Sequence, residues 1–134
     1  GTYLITGGTS GLGLEFAKWL SVQGVKNIAL VSRTGEREET AIAINLIEEN
    51  NTTVKIYKAD ISKQDEAEKL IKAIEENQPE ICGVIHAAAV LEDGLFLNLS
   101  KEQILNPILA KGVGAWNLHT LLQQHLRHLY KQLI

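Results

Sequence analysis

Behind the apolar run Tyr3-Leu4-Ile5 the chain reads Thr6-Gly7-Gly8-Thr9-Ser10-Gly11-Leu12-Gly13. A glycine-rich turn that follows a strand and opens a helix suits a dinucleotide pyrophosphate. Gly7 permits the tight turn, Gly11 lets backbone approach the phosphates, and Gly13 lets the helix pack closely. The N–H groups at the helix start then face the anion. The plain alternative is a flexible strand-to-helix turn with no ligand. At the end of the next strand, where an acid would take the ribose 2′-hydroxyl of NAD, stands Ser32-Arg33-Thr34. Arg33 can fork onto a 2′-phosphate and Ser32 can donate a hydrogen bond, which selects NADPH. A solvated strand-end cation is the other reading of Arg33.

These residues need a scaffold, and the pattern supplies one. Strands are expected at Thr2–Thr6, Asn27–Arg33, Val54–Lys58 and Ile81–Ala88. Helices are expected at Leu12–Gln23, with Leu14, Ala17, Trp19 and Leu20 buried, and at Glu38–Asn50. Ser62 is expected to cap a third helix through Glu76, with Leu70, Ile71 and Ile74 inward. Ser100 and Gln103 form a capping box for a long last helix, which Pro107 should kink just before Lys111. Near-continuously apolar strands alternating with helices predict a Rossmann-like α/β fold, a doubly wound parallel sheet. Residues 1–134 are read as one NADP-binding domain with four strands in the order 3-2-1-4.

The totals exclude several classes. A net charge of −3 gives no basic footprint for nucleic acid. The single cysteine, Cys82, permits no internal disulfide and fits a reducing, cytoplasmic setting. No apolar run is long enough to span a membrane, and no signal peptide is seen. His125 and His128 sit on neighbouring turns, but no Cys, Asp or Glu joins them, so they read as a polar helix face and not a metal site. In the same tail Leu118, Leu121, Leu122, Leu126, Leu129, Leu133 and Ile134 make an apolar stripe.

The spacing Thr6-Gly7-x-x-x-Gly11-x-Gly13 resembles the short-chain dehydrogenase/reductase superfamily. Two further segments are similar to the ketoreductase domains of polyketide and fatty-acid synthases. One is His86-Ala87-Ala88-Ala89-Val90-Leu91-Glu92-Asp93-Gly94. The other is Lys111-Gly112-Val113-Gly114-Ala115-Trp116-Asn117-Leu118-His119. The resemblance covers residues 1 to about 120 and implies a β-ketoacyl reductase that turns a β-keto thioester into a 3-hydroxy thioester. It implies NADPH as cofactor and, as partners, an acyl thioester on a carrier protein and the rest of a synthase polypeptide. Cofactor contacts are implied at Thr6–Gly13, Ser32, Arg33, Asp60, Ile61 and Ala87–Ala89. The first of these stretches comprises Thr6, Gly7, Gly8, Thr9, Ser10, Gly11, Leu12 and Gly13; the last comprises Ala87, Ala88 and Ala89. Asp60 is similar to the acid that meets the adenine amino group, and equally fits a helix-capping aspartate.

Lys111 is the implied catalytic residue, a cation that holds the nicotinamide ribose and lowers a tyrosine pKa. Asp93 occupies a position that resembles the family's marker of hydride-delivery face, with Glu92 in place of its first aspartate; an exposed acidic loop is the other reading. Ala89 departs from the pattern, which has glycine there; a methyl group crowds a cofactor or disfavours a positive φ. His86 is assigned no catalytic role. The start on Gly1-Thr2 reads as a domain cut from a longer polypeptide. The family's serine and Tyr-x-x-x-Asn are not found, so the chain is read as the cofactor-binding portion, inactive alone. The fourth strand is then an apolar edge open to pairing with another chain. A non-catalytic nucleotide-binding or structural module, or an engineered fragment, is the alternative.

Overall fold

The computed structural model describes residues 1–88 and 96–133. Its elements alternate as the pattern predicts: β1 Thr2–Thr6, α1 Gly11–Val22, β2 Asn27–Ser32, α2 Glu38–Glu48, β3 Thr53–Lys58, α3 Gln64–Asn77 and β4 Ile81–His86. A 3-10 turn Phe96–Asn98, α4 Lys101–Ile108, a π turn Leu109–Val113 and α5 Gly114–Leu133 follow. Two compact units divide the chain: Gly1–Ala59 with Lys72–Ala88, and Asp60–Ile71 with Ala89–Ile134.

The first unit holds the whole sheet, parallel and in the expected order β3-β2-β1-β4. The central strands explain the continuous apolar reading. Ile28, Ala29, Leu30 and Val31 of β2 are all buried, as are Leu4 and Ile5 of β1, because residues on both faces are covered. β1 pairs with β2 from Thr2↔Asn27 to Thr6↔Val31. Against β4 its register slips between Thr2 and Tyr3, which pair with Ile81 and Gly83 and leave Cys82 unmatched. The Tyr3 ring fills the space above Gly83: a Cβ there would lie 2.5 Å from Tyr3 Cε1.

Leu14, Ala17 and Leu20 of α1 and Ala43 and Ile47 of α2 pack with Ile5, Ile28 and Leu30 into one core. Trp19, expected in that core, is 56% exposed. The reason is angular. At 100° per residue the inward stripe is Leu14, Ala17 and Leu20, and Trp19 falls on the stripe of Leu12 and Phe16 instead. The strands also end earlier than expected, β2 at Ser32 and β4 at His86.

In the second unit the Ser100–Gln103 capping box is present: Gln103 N–H donates to Ser100 Oγ at 3.2 Å and Ser100 N–H to Gln103 Oε1 at 2.8 Å. The expected disturbance at Pro107 takes the form of a π turn. Pro107 has no N–H to give the helix, and Gly114 N–H bonds back five residues to Leu109 O. Leu118 is buried and Leu121 and Leu122 are half-buried. The rest of the stripe and the His125–His128 pair lie outside the side chains described. Ser62 does not cap α3. Its hydroxyl donates to Asp60 Oδ1 at 2.6 Å, and Ala67 N–H closes the first helical turn on Lys63 O. Among the described residues no helix is long and apolar enough to cross a membrane, and no cluster could hold a metal ion.

Candidate functional site

The first unit assembles the glycine turn at the carboxyl ends of β1 and β4, where the strand order reverses. In open parallel sheets this is where a crevice for ligands lies. Thr6 closes β1, and its Oγ1 lies 2.6 Å from His86 Nδ1 on β4. Ala87 N–H donates to Thr6 O and Gly8 N–H to Val31 O, so the turn is tied to strands on both sides.

The glycines do different work. Gly7 has φ +65°, and a Cβ there would meet Ala87 O at 2.7 Å. Gly13 would place its Cβ 2.2 Å from Gly7 O, a distance no side chain can occupy. The helix therefore starts against the backbone of its own turn, and this close approach is what Gly13 makes room for. Gly11 differs from both. Its φ is +51°, yet a Cβ there meets nothing within 4 Å. The backbone favours a glycine, while the space beside it is open.

Helix α1 begins at that open point without a side-chain cap. Ser10 is its N-cap residue, in extended backbone, and its side chain makes no capping bond. The first bond back to the cap is Leu14 N–H to Ser10 O at 3.3 Å. An uncapped helix start beside an open glycine fits a diphosphate, whose oxygens would take the orphan N–H groups. Leu12 is 67% exposed there, and Thr9 is buried.

The two residues expected to meet a 2′-phosphate stand at the end of β2, Ser32 as its last residue and Arg33 as the first beyond it. Arg33 is exposed and belongs to neither ion pair of the described residues. Ser32 is engaged locally: its Oγ accepts from Gly35 N–H at 2.8 Å and donates to Gly35 O at 3.1 Å. The structure thus brings Thr6–Gly13, Ser32, Arg33, Ala87 and Ala88 into one unit. Ala89, Glu92 and Asp93 lie outside the described residues.

Asp60, Ile61 and Lys111 belong to the second unit. Asp60 Oδ1 accepts from Ser62 N–H and Oγ, and Glu66 Oε2 accepts from Asp60 N–H at 2.7 Å. The carboxylate therefore organises the turn before α3 through one oxygen and makes no bond through Oδ2 among the described residues. Lys111 is exposed on the π turn, a helical irregularity frequent at functional sites.

Two residues escaped the sequence reading. Thr40 is fully buried and bonds to the glycine turn, and no motif marks it. Asn117 stands inside a matched motif but its task was not legible there. Its Nδ2 donates to Ile61 O at 2.8 Å, and a Cβ on the neighbouring Gly114 would press on the Ile61 side chain at 3.0 Å. Asn117→Ala should leave the buried Ile61 carbonyl unpaired and cost about 1.5 kcal/mol. Urea unfolding would check this; a midpoint equal to wild type would refute the clamp.

Similarity to known proteins spans nearly the whole chain. The family described as KR domain matches residues 1–131. The chain is 42% identical over 132 residues to a 6-methylsalicylic acid synthase of Arthrobotrys oligospora, covering 90% of this chain and 8% of that protein. It is 40% identical over 129 residues to a highly reducing polyketide synthase of Preussia isomera, covering 94% of this chain and 5% of that protein. It thus spans only a small part of the length of these relatives. Among solved structures it is similar to an N-terminal ketoreductase from the macrolactin assembly line. The TM-score is 0.84 at 35% identity, over 90% of this chain and 25% of the other. These relatives favour the reductase reading over a non-catalytic module.

Proposed function

The chain belongs to the KR domain family, and from that membership we propose that it is the NADPH-binding portion of a β-ketoacyl reductase within a polyketide synthase. The observation that carries the cofactor reading is the open, positive-φ Gly11 at the head of an uncapped helix, with the exposed Arg33 on the next loop. The substrate is a β-keto thioester presented on a carrier protein, and the product a 3-hydroxy thioester. When bound, NADPH supplies the hydride for that reduction.

The chain's own residues have distinct tasks. Backbone N–H groups of Gly11, Leu12 and Gly13 hold the diphosphate, and Ala87 and Ala88 wall the turn behind them. Arg33 takes the 2′-phosphate with a planar fork that a lysine would not reproduce. Ser32 shapes the loop that carries Arg33, and Asp60 offers its second carboxylate oxygen to the adenine amino group. Lys111 contributes fixed positive charge, holding the nicotinamide ribose and lowering the pKa of the tyrosine that protonates the alkoxide.

The test is a titration of the full protein with NADPH and with NADH, followed by nicotinamide fluorescence. Wild type should prefer NADPH. Arg33→Ala should weaken NADPH about 10- to 100-fold, the worth of charge-assisted hydrogen bonds, and leave NADH nearly unchanged. Equal weakening of the two cofactors would remove the 2′-phosphate assignment. A second assay follows NADPH oxidation by the complete synthase with a β-keto thioester; no turnover there would remove the reductase reading.

A further inference from the structure

We propose that Thr40 is a positioning residue for cofactor selection, tying the Arg33 loop to the glycine turn through one buried hydroxyl. The proposal rests on the NADPH reading above and assigns it a component that no motif contains. The loop from Arg33 to Glu36 leaves β2 and enters α2. Its near part is held by Ser32 Oγ, which bonds both the N–H and the C=O of Gly35. Its far end is held by Thr40, whose Oγ1 accepts from Arg37 N–H at 3.1 Å. The same oxygen donates to Thr9 O at 2.6 Å.

The roles in this bridge cannot be exchanged. A hydroxyl has one proton to give. Arg37 N–H can only donate and Thr9 C=O can only accept, so the proton of Thr40 must go to Thr9. Thr40 is 0% exposed and Thr9 1% exposed, so solvent has little access to replace the bond. Thr9 lies within the turn between Gly8 and Ser10, and Arg37 lies four positions past Arg33. The hydroxyl therefore sets the spacing between the group that binds the diphosphate and the group that binds the 2′-phosphate. A cofactor that engages both is sensitive to that spacing; NADH, which lacks the 2′-phosphate, engages only the first. Preorganised charged contacts lose most when their spacing loosens.

The experiment compares wild type, Thr40→Val and Thr40→Ser in the full protein. Dissociation constants are measured for NADPH and NADH, and amide hydrogen exchange is followed at residues 33–37 without cofactor. Val keeps the shape and removes the hydroxyl; Ser keeps the hydroxyl. Thr40→Val should reduce the NADPH-over-NADH preference about tenfold, the worth of one hydrogen bond, and speed exchange in the loop. Thr40→Ser should restore both. Equal loss of the two cofactors, or unchanged loop exchange in Thr40→Val, would overturn the proposal and leave the NADPH reading standing. A wild type without NADPH preference would overturn both. If Thr40→Val does not fold, Thr40→Ala must show the same two changes, and a wild-type preference in Thr40→Ala would overturn the proposal.

Discussion

Gly13→Ala is expected to lower the melting temperature by about 10 °C and to abolish cofactor binding. The added Cβ would lie 2.2 Å from Gly7 O and 2.8 Å from Gly7 C. These are backbone atoms, and the carbonyl sits in a turn already bonded to β2 and β4, through Gly8 N–H to Val31 O and Ala87 N–H to Thr6 O. No rotamer can relieve the contact. Either α1 moves away from the turn, which opens the packing of Leu14 and Ala17, or the turn itself rearranges. Overpacking of this kind costs about 3 kcal/mol, which in a domain of this size is about 10 °C. Gly11→Ala is the control. Its Cβ meets nothing within 4 Å, but φ +51° leaves about 1 kcal/mol of left-handed strain. It should lose far less stability than Gly13→Ala and still bind NADPH poorly, because the methyl group enters the space the phosphates need. Scanning calorimetry and fluorescence titration on the pair separate the two effects. Equal melting shifts for Gly11→Ala and Gly13→Ala would contradict the assignment.

Lys111→Ala is expected to reduce kcat of the complete reductase by about 100- to 1,000-fold, the range of a lost contribution to general acid catalysis, with a much smaller change in NADPH affinity. On the reading proposed above the lysine would supply charge where a phenol must give up its proton, and without that charge the phenol pKa would return toward its ordinary value. The prediction includes a pH signature. The descending limb of the kcat profile, where the proton donor is lost, should move to higher pH in Lys111→Ala. Lys111→Arg keeps a positive charge but not its compact position and should recover part of the rate. A kcat within about threefold of wild type in Lys111→Ala, about 0.7 kcal/mol in barrier, would mean that Lys111 is only a surface residue of the π turn.

Much of this was legible in the residues alone because it is local. The glycine spacing, the apolar strands and the Ser100–Gln103 cap each involve neighbours a few positions apart, and the order β3-β2-β1-β4 follows from how such units connect. Pro107 announced a break because a proline lacks an N–H wherever it stands. The misplacement of Trp19 marks the limit of that reasoning. Apolar character said that it could be buried, but two apolar stripes compete on α1, and packing against the sheet chose Leu14, Ala17 and Leu20.

The sequence by itself therefore determined the fold class, the family and the glycine turn between β1 and α1. Only tertiary structure decided which polar side chains brace that turn and the segments after it. Thr40 reaches Thr9 across 31 positions and Asn117 reaches Ile61 across 56. No periodicity or spacing rule links such residues. Their partners are set by which backbone groups the folded chain leaves buried and unpaired, and a buried carbonyl without a donor is costly enough to decide the matter.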